Sequence, residues 1–114
     1  MALTIIFIAH WVGDFIFQTS NMAIKKSKSL RWLSLHVLTY TGIMLIPSIF
    51  LFPWLLALKY TLVNGVIHWV VDFFTSKAVA KYQSKPRVYF PLIGFDQLLH
   101  ILSLLWTLEF LERL

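Results

Sequence analysis

The chain has 114 residues, of which 59% are hydrophobic and 13% are charged, and its formal net charge is +5. So apolar a composition excludes a water-soluble domain of this size and predicts an integral membrane protein. The chain has no cysteine, which excludes disulfides, thiolate metal sites and cysteine nucleophiles. Its basic residues fall in two clusters beside apolar runs, as in loops that face anionic lipid, so we expect no nucleic-acid partner.

Four apolar runs of about the length that a bilayer requires follow one another along the chain. They predict transmembrane helices at about residues 2–19, 30–52, 54–76 and 91–111. No stretch has the pattern of a β-strand. The predicted fold is therefore an all-α, polytopic membrane four-helix bundle, with a single transmembrane domain over residues 1–114.

The two basic clusters lie between the first and second predicted helices and between the third and fourth. They include Lys25, Lys26, Lys77 and Arg87. Because positively charged loops stay in the cytoplasm, we expect a multi-pass protein of the inner membrane with both termini outside. The same cations are candidates for binding an anionic lipid headgroup, and the alternative that they only fix the topology stays open.

A six-residue pattern, HWVxDF, occurs in the first and third predicted helices, where it begins at His10 and at His68. An ionisable residue in hydrocarbon is costly unless it is paired or bound to a ligand, so two copies of this pattern indicate a function. Each half of the chain contains a helix, a basic connection and a returning helix. A tandem repeat of two helical hairpins is therefore compatible with the sequence.

Polar side chains recur at a spacing of four within the predicted helices, which places them on one face of each helix. Helical rise puts them all at one depth, in the cytoplasmic half of the bilayer. This layer contains every histidine and every aspartate of the chain, namely His10, Asp14, His36, His68, Asp72, Asp96 and His100.

Imidazole and carboxylate are ligands for zinc, manganese and iron. Three carboxylates also nearly balance the charge of one or two divalent ions, as a low-dielectric layer requires. We predict that these seven residues bind one or two divalent metal ions and that Gln18, Tyr40 and Asn64 orient the ligands. Two alternatives remain: hydrogen-bonded His–Asp pairs that conduct protons without metal, and polar residues that only join the helices.

The residues also resemble a family of small bacterial and phage integral membrane proteins that is classed only as a domain of unknown function. The resemblance spans nearly the whole chain and implies a bacterial or phage origin and the same site residues. It rests on His10-x3-Asp14-Phe-x2-Gln18, Asn21-Met-Ala with Lys26, His36-x3-Tyr40, His68-x3-Asp72-x3-Ser76-Lys77 and Phe95-Asp96-Gln97-x2-His100. The polar pattern is more distantly similar to membrane-bound metal-dependent hydrolases, an analogy of residue types and spacing.

A metal site near the cytoplasmic headgroups favours hydrolysis of a lipid-like or phosphoester substrate, with membrane lipids as partners. Asp72 or Asp96 would serve as general base. No serine lies in the polar layer, so we favour metal-assisted hydrolysis over an acyl-enzyme.

Two other functions remain open. One is a subunit that transports protons or metal ions, although only Lys59, Thr61 and Ser48 are polar in the outer half. The other is a small accessory protein whose polar network is structural. Because four short helices bury little protein surface, we also expect a homo-oligomer.

Overall fold

The structure, a computed structural model, describes all 114 residues as helices joined by short connections, with no strand. The first helix, α1, runs from Ala2 to Trp11 and continues directly into a π-helical turn at Val12–Ile16. The other helices are α2 (Ser20–Lys25), α3 (Leu30–Leu51), α4 (Trp54–Lys81) and α5 (Pro86–Glu112). The all-α prediction is confirmed.

Three of the helices, α3, α4 and α5, are long and apolar enough to cross a membrane. The apolar segment Ala2–Ile16, formed by α1 and the π-helical turn, is shorter than they are. At 1.5 Å of rise per residue it is about 22 Å long, less than the roughly 30 Å of a bilayer's hydrocarbon. The first predicted span, residues 2–19, is thus helical only as far as Ile16.

The observed helix boundaries also differ from the predicted ones at the basic connection between α4 and α5. The third predicted span stops at residue 76, whereas α4 continues to Lys81, because a helix can continue beyond its apolar segment without losing its backbone hydrogen bonds. The fourth predicted span starts at Pro91, whereas α5 starts at Pro86. Proline is well suited to the first helical position, where its fixed φ and missing N–H cost nothing.

Side-chain caps and proline define the other helix starts. The Thr19 hydroxyl accepts a hydrogen bond from the Met22 N–H at the start of α2, and the Ser29 hydroxyl accepts one from the Trp32 N–H at the start of α3. Between α3 and α4 the chain reverses at Phe52 and Pro53. The sequence predicts no helix between residues 19 and 30, whereas the structure has the short helix α2 there.

The long helix α4 packs between α3 and α5, and α1 packs mainly against α3. The end of the bundle formed by residues 20–29 and 82–85 is called the basic end below. Lys77 of α4 joins that helix to the first of these segments by donating to the Ser27 carbonyl at 3.1 Å. The apolar core lies towards the opposite end and consists of Ile6, Ala9, Tyr40, Met44, Tyr60, Leu104 and Leu108.

The two HWVxDF copies lie in helices of different geometry. The copy at His10 runs from α1 into the π-helical turn, whereas the copy at His68 lies within the 28-residue α4. The tandem repeat therefore stays a prediction.

A close approach of α3 and α4 at Gly65 provides a test of this packing. A Cβ atom at Gly65 would lie 2.6 Å from the Thr41 hydroxyl oxygen, which already donates to the Val37 carbonyl. We expect Gly65→Ala to destabilise the protein by about 1–3 kcal/mol, as overpacking does, in thermal unfolding of the detergent-solubilised protein.

Gly42 provides the matched control, because a Cβ atom there would have nothing within 4 Å. Gly42→Ala should leave stability unchanged or raise it by up to about 1 kcal/mol. Adding Thr41→Ala to Gly65→Ala should recover most of the loss, since it removes the clashing oxygen. Equal stability of the two single variants would contradict this packing.

Candidate metal centre

The structure brings the seven histidines and aspartates of the predicted layer into one cluster, called the His/Asp cluster below. Six of them are at most 3% exposed, and the Asp96 side chain is 13% exposed. They come from α1 with its π-helical turn, from α3, from α4 and from α5. Neighbouring helices contribute residues far apart in the chain, so the cluster is a product of the tertiary fold.

Four side-chain atoms converge within this cluster. They are Asp14 Oδ1, His36 Nε2, His68 Nε2 and Asp72 Oδ2, and all lie within 4.8 Å of one another. His36 Nε2 is 3.0 Å from the Asp14 oxygen, 3.2 Å from His68 Nε2 and 3.3 Å from the Asp72 oxygen. His68 Nε2 is 3.3 Å from each of the same two oxygens.

These distances match a tetrahedral metal site. An ion bound at about 2.0–2.1 Å by four ligands separates the ligand atoms by about 3.3–3.4 Å. Hydrogen bonding alone accounts for the geometry poorly, because one imidazole N–H cannot point at three atoms at once. The four residues could therefore hold a metal ion.

A second group of possible ligands adjoins the first and shares Asp14 with it. Asp14, Asp96 and His100 also place ligand atoms within 4.8 Å of one another. His100 Nε2 lies 3.2 Å from Asp96 Oδ1 and 3.1 Å from Asp72 Oδ1. The residues present thus fit one ion, or two ions that share Asp14.

Lys26 places a positive charge against the cluster. Its ammonium lies 2.9 Å from Asp72 Oδ2, one of the four convergent atoms, and its side chain is only 14% exposed. With neutral histidines, three carboxylates and one ammonium leave two excess negative charges, which one divalent ion would cancel. Burying charge without such compensation is costly.

His10 is predicted to be a metal ligand, but the structure gives it a different role. Its Nε2–H donates to the Gln97 side-chain oxygen at 2.8 Å, and its Nδ1 accepts from the Tyr40 hydroxyl at 2.7 Å. Both ring nitrogens are therefore engaged, and His10 belongs to neither group of convergent atoms. It holds Gln97 in place, and Gln97 in turn donates to Asp14 at 3.0 Å and to Asp96 at 3.1 Å.

The ring of His68 is held by aromatic packing. It stacks on His100 with a centroid distance of 3.9 Å and packs against Tyr40 at 4.0 Å. Tyr40 itself sits close to the π-helical turn, where a Cβ atom on Gly13 would approach the Tyr40 ring to 3.1 Å. Gly13 thus allows Asp14 to come close to α3.

Asn64 and Gln18, the other two residues predicted to orient ligands, occupy different positions relative to the His/Asp cluster. Asn64 donates to the Tyr60 carbonyl and to Thr107, so its hydrogen bonds lie outside the His/Asp cluster. Gln18 lies beside the cluster, where its side-chain oxygen is buried without a hydrogen-bond partner. Of the three, Tyr40 is the one that hydrogen-bonds a cluster residue.

Sequence reasoning missed two residues of the site and did not predict the contact between Lys26 and Asp72. Gln97 and Thr75 both bind Asp96, Thr75 through a 2.5 Å hydrogen bond from its hydroxyl. The signal for Gln97 was its place in the Asp96-Gln97-x2-His100 pattern, whereas Thr75 had none. Lys26 was predicted at the headgroups but reaches inward.

The other three predicted headgroup residues stay on the surface. Lys25 lies over the Trp32 ring at 5.2 Å, and Lys77 lies over the Phe73 ring at 4.1 Å. Arg87 is exposed in the first turn of α5. These positions suit contacts with a charged surface and do not bring the three cations together at one site.

A cavity of about 440 Å³ connects the His/Asp cluster with the basic end. Its inner wall includes all three aspartates, and its other residues include Lys26, Lys28 and Gln83. The cluster is thus buried within the bundle but reachable from the basic end.

The model of one protein family, described as "Protein of unknown function (DUF3307)", matches residues 2–113. The chain belongs to this family. The match covers nearly the whole chain, which agrees with the resemblance to a family of unknown function. Comparison with curated proteins and with solved structures found no match in either.

Gln97 provides a test of the site in this DUF3307 chain. Gln97→Met keeps the side-chain length but removes the amide, so His10, Asp14 and Asp96 lose a hydrogen-bond partner. We expect the affinity for zinc to fall about 10–100-fold, as it does when the partners of metal ligands are removed. Competition with a chromophoric chelator measures this affinity.

Gln83→Met is the matched control, because Gln83 is exposed at the rim of the same cavity. Its zinc affinity should equal that of the unmodified protein. Unchanged affinity in Gln97→Met would show that the amide does not support the ligands.

Proposed function

We propose that the protein is an integral membrane metalloprotein that hydrolyses a lipid-like or phosphoester substrate at its His/Asp cluster. The observation that carries the proposal is the convergence of Asp14, His36, His68 and Asp72 at tetrahedral spacing. The ion would be zinc, manganese or iron, since imidazole and carboxylate ligands suit all three.

The basic end is proposed to face the cytoplasm of a bacterial or phage-infected cell. Lysine and arginine next to apolar helices favour that side of the inner membrane. Both termini would then lie outside, with α1 entering the bilayer from that side to carry Asp14 to the cluster. The cavity would open at the level of the inner-leaflet headgroups.

In the proposed reaction, water attacks the carbonyl carbon or the phosphorus of the ester. The bond from the water oxygen forms, the ester bond to the leaving oxygen breaks, and one proton passes from the water to that oxygen. A bound divalent ion supplies Lewis acidity to this step. Asp96 is proposed to relay the proton, because it lines the cavity and is not one of the four tetrahedral ligands.

The apolar core supports an enzyme over a transporter. Beyond the His/Asp cluster, away from the basic end, Ile6, Met44 and Leu104 pack together and are at most 1% exposed. The buried polar side chains there, Ser48, Thr61 and Asn64, are not ionisable and donate to backbone carbonyls or to Thr107, whereas a proton path would need ionisable groups or water at that depth. Access from one side suits a reaction in which substrate and product use the same entrance.

Metal analysis of the detergent-solubilised protein tests the metal. We expect about one or two equivalents of zinc, manganese or iron in the purified protein, and none in His68→Ala/Asp72→Ala, which removes two of the four ligands. Asn64→Ala is the matched control, since Asn64 is buried on the same helix but bonds outside the cluster. A protein that contains no metal and takes up none would overturn the proposal.

Asp96→Asn tests the reaction separately from the first metal position. We expect it to retain at least one ion and to lose about 100-fold or more of the hydrolytic rate, because a general base contributes about that much. The rate is measured as release of fatty acid or phosphate from a bacterial lipid extract in detergent. Glu109→Gln, an exposed acid at the far end of α5, should keep the full rate.

Ion flux is the outcome that would favour the transport alternative. If liposomes containing the protein pass protons or zinc while no lipid is hydrolysed, the enzyme assignment is wrong. If His68→Ala/Asp72→Ala abolishes that flux, the same cluster would be the transport site.

A further inference from the structure

The cavity between the His/Asp cluster and the basic end contains polar groups that the proposed metal site does not use. Ser76 lies one helical turn beyond Asp72 on α4, lines the cavity and is only 8% exposed. Its hydroxyl has no hydrogen-bond partner in the protein, and neither has the side-chain oxygen of Gln18 on the same cavity wall. Buried polar groups are nearly always paired, so unpaired ones on residues that line a cavity indicate a ligand.

Lys26, at the end of α2, lines the same cavity. Its ammonium carries three N–H donors, of which the structure pairs one with Asp72 Oδ2. A metal ion bound to that oxygen would compete with Lys26 for it and leave the ammonium free for another anion. Lys26 and Ser76 together would then offer donors next to the metal, on the side from which substrate enters.

When the site holds two divalent ions instead of one, its charge balance favours a doubly charged anion. Asp14, Asp72, Asp96 and Lys26 together carry two excess negative charges, and two divalent ions would turn this into two excess positive charges. A phosphate monoester carries a charge of about −1.5 to −2 near neutral pH. It would neutralise the site, whereas a neutral carboxylic ester would not.

The apolar residues that line the rest of the cavity favour a lipid as the molecule to which that phosphate is attached. Phe15, Ile24 and Ile93 line the cavity beside the polar groups. Phe15 is 43% exposed and Ile24 is 68% exposed, so the apolar side of the cavity continues onto the outer surface of the bundle. At headgroup depth this surface meets the bilayer, where an acyl or prenyl chain would lie.

We infer that Lys26 and Ser76 form a subsite for the terminal phosphate of a lipid phosphate monoester, which is the substrate of the metal centre. This inference rests on the proposed function and narrows it to a phosphatase. Water adds its oxygen to phosphorus, the bond from phosphorus to the lipid oxygen breaks, and that oxygen takes a proton. The products are inorganic phosphate and a lipid alcohol that stays in the membrane.

Binding of phosphonates tests the subsite without turnover, because their P–C bond resists hydrolysis. Isothermal titration of the zinc-loaded, detergent-solubilised protein uses two probes: a dioleoyl phosphonate analogue of phosphatidic acid in mixed micelles, and soluble methylphosphonate. We expect Lys26→Met and Ser76→Ala each to weaken binding of both probes about tenfold or more, as loss of a hydrogen bond to a charged group does.

The matched controls are Lys81→Met and Ser84→Ala. Both residues are exposed near the same end of the bundle and lie outside the cavity lining. They should bind the probes as the unmodified protein does. If all four variants bind alike, the subsite does not exist.

Zinc affinity separates a role in phosphate binding from a merely structural one. Lys26→Met should bind zinc at least as tightly as the unmodified protein, because the ammonium no longer competes for Asp72. Weaker binding of both zinc and phosphonate would mean that Lys26 only supports the fold, and would overturn its place in the subsite.

The two probes separate a lipid from a soluble phosphate. The lipid phosphonate should bind about tenfold or more tightly than methylphosphonate, since its chains would bury apolar surface against Phe15 and Ile24. Equal binding would overturn the lipid assignment. A protein that takes up zinc but binds neither probe would refute this inference alone, whereas one that takes up no metal would refute the proposed function.

Discussion

Burial of three carboxylates at one depth in a protein of apolar helices is the constraint on which the rest of the structure depends. Removing a charged group from water costs several kcal/mol even after the protein relaxes. Each carboxylate therefore has partners: Asp14 has two histidines and Gln97, Asp72 has histidines and Lys26, and Asp96 has Thr75, Gln97 and His100. These partners come from every long helix, so the cluster joins the helices through polar contacts.

The helices differ in how they bring their ligands to the common point. On α4 an unbroken α-helix places His68 and Asp72 one turn apart on one face. The first copy of the pattern instead passes into a π-helical turn, and Gly13 permits the close approach of that turn to Tyr40. Such π-helical turns often occur at functional sites, because the extra residue redirects a side chain.

The bundle is asymmetric along its axis. One end has most of the basic residues, the cavity and the unpaired oxygens of Gln18 and Ser76, while the other has the apolar core. The metal proposal and the phosphate inference both follow from this asymmetry. With a divalent ion bound at the cluster, the Lys26 ammonium beside it and the apolar part of the cavity wall would be complementary to an amphiphilic anion.

The sequence by itself determined the helical class, the apolar segments and the common level of the histidines and aspartates along the helices, because composition and the 3.6-residue period are local properties of the chain. It also indicated the cluster residues, since a charge within an apolar helix is too costly to be incidental. Only the tertiary structure decided that four of the seven converge, that His10 binds Tyr40 and Gln97, and that Lys26 turns inward. These outcomes depend on how the helices rotate and pack against one another and on the positions that the ends of long side chains reach. No local sequence pattern encodes these features.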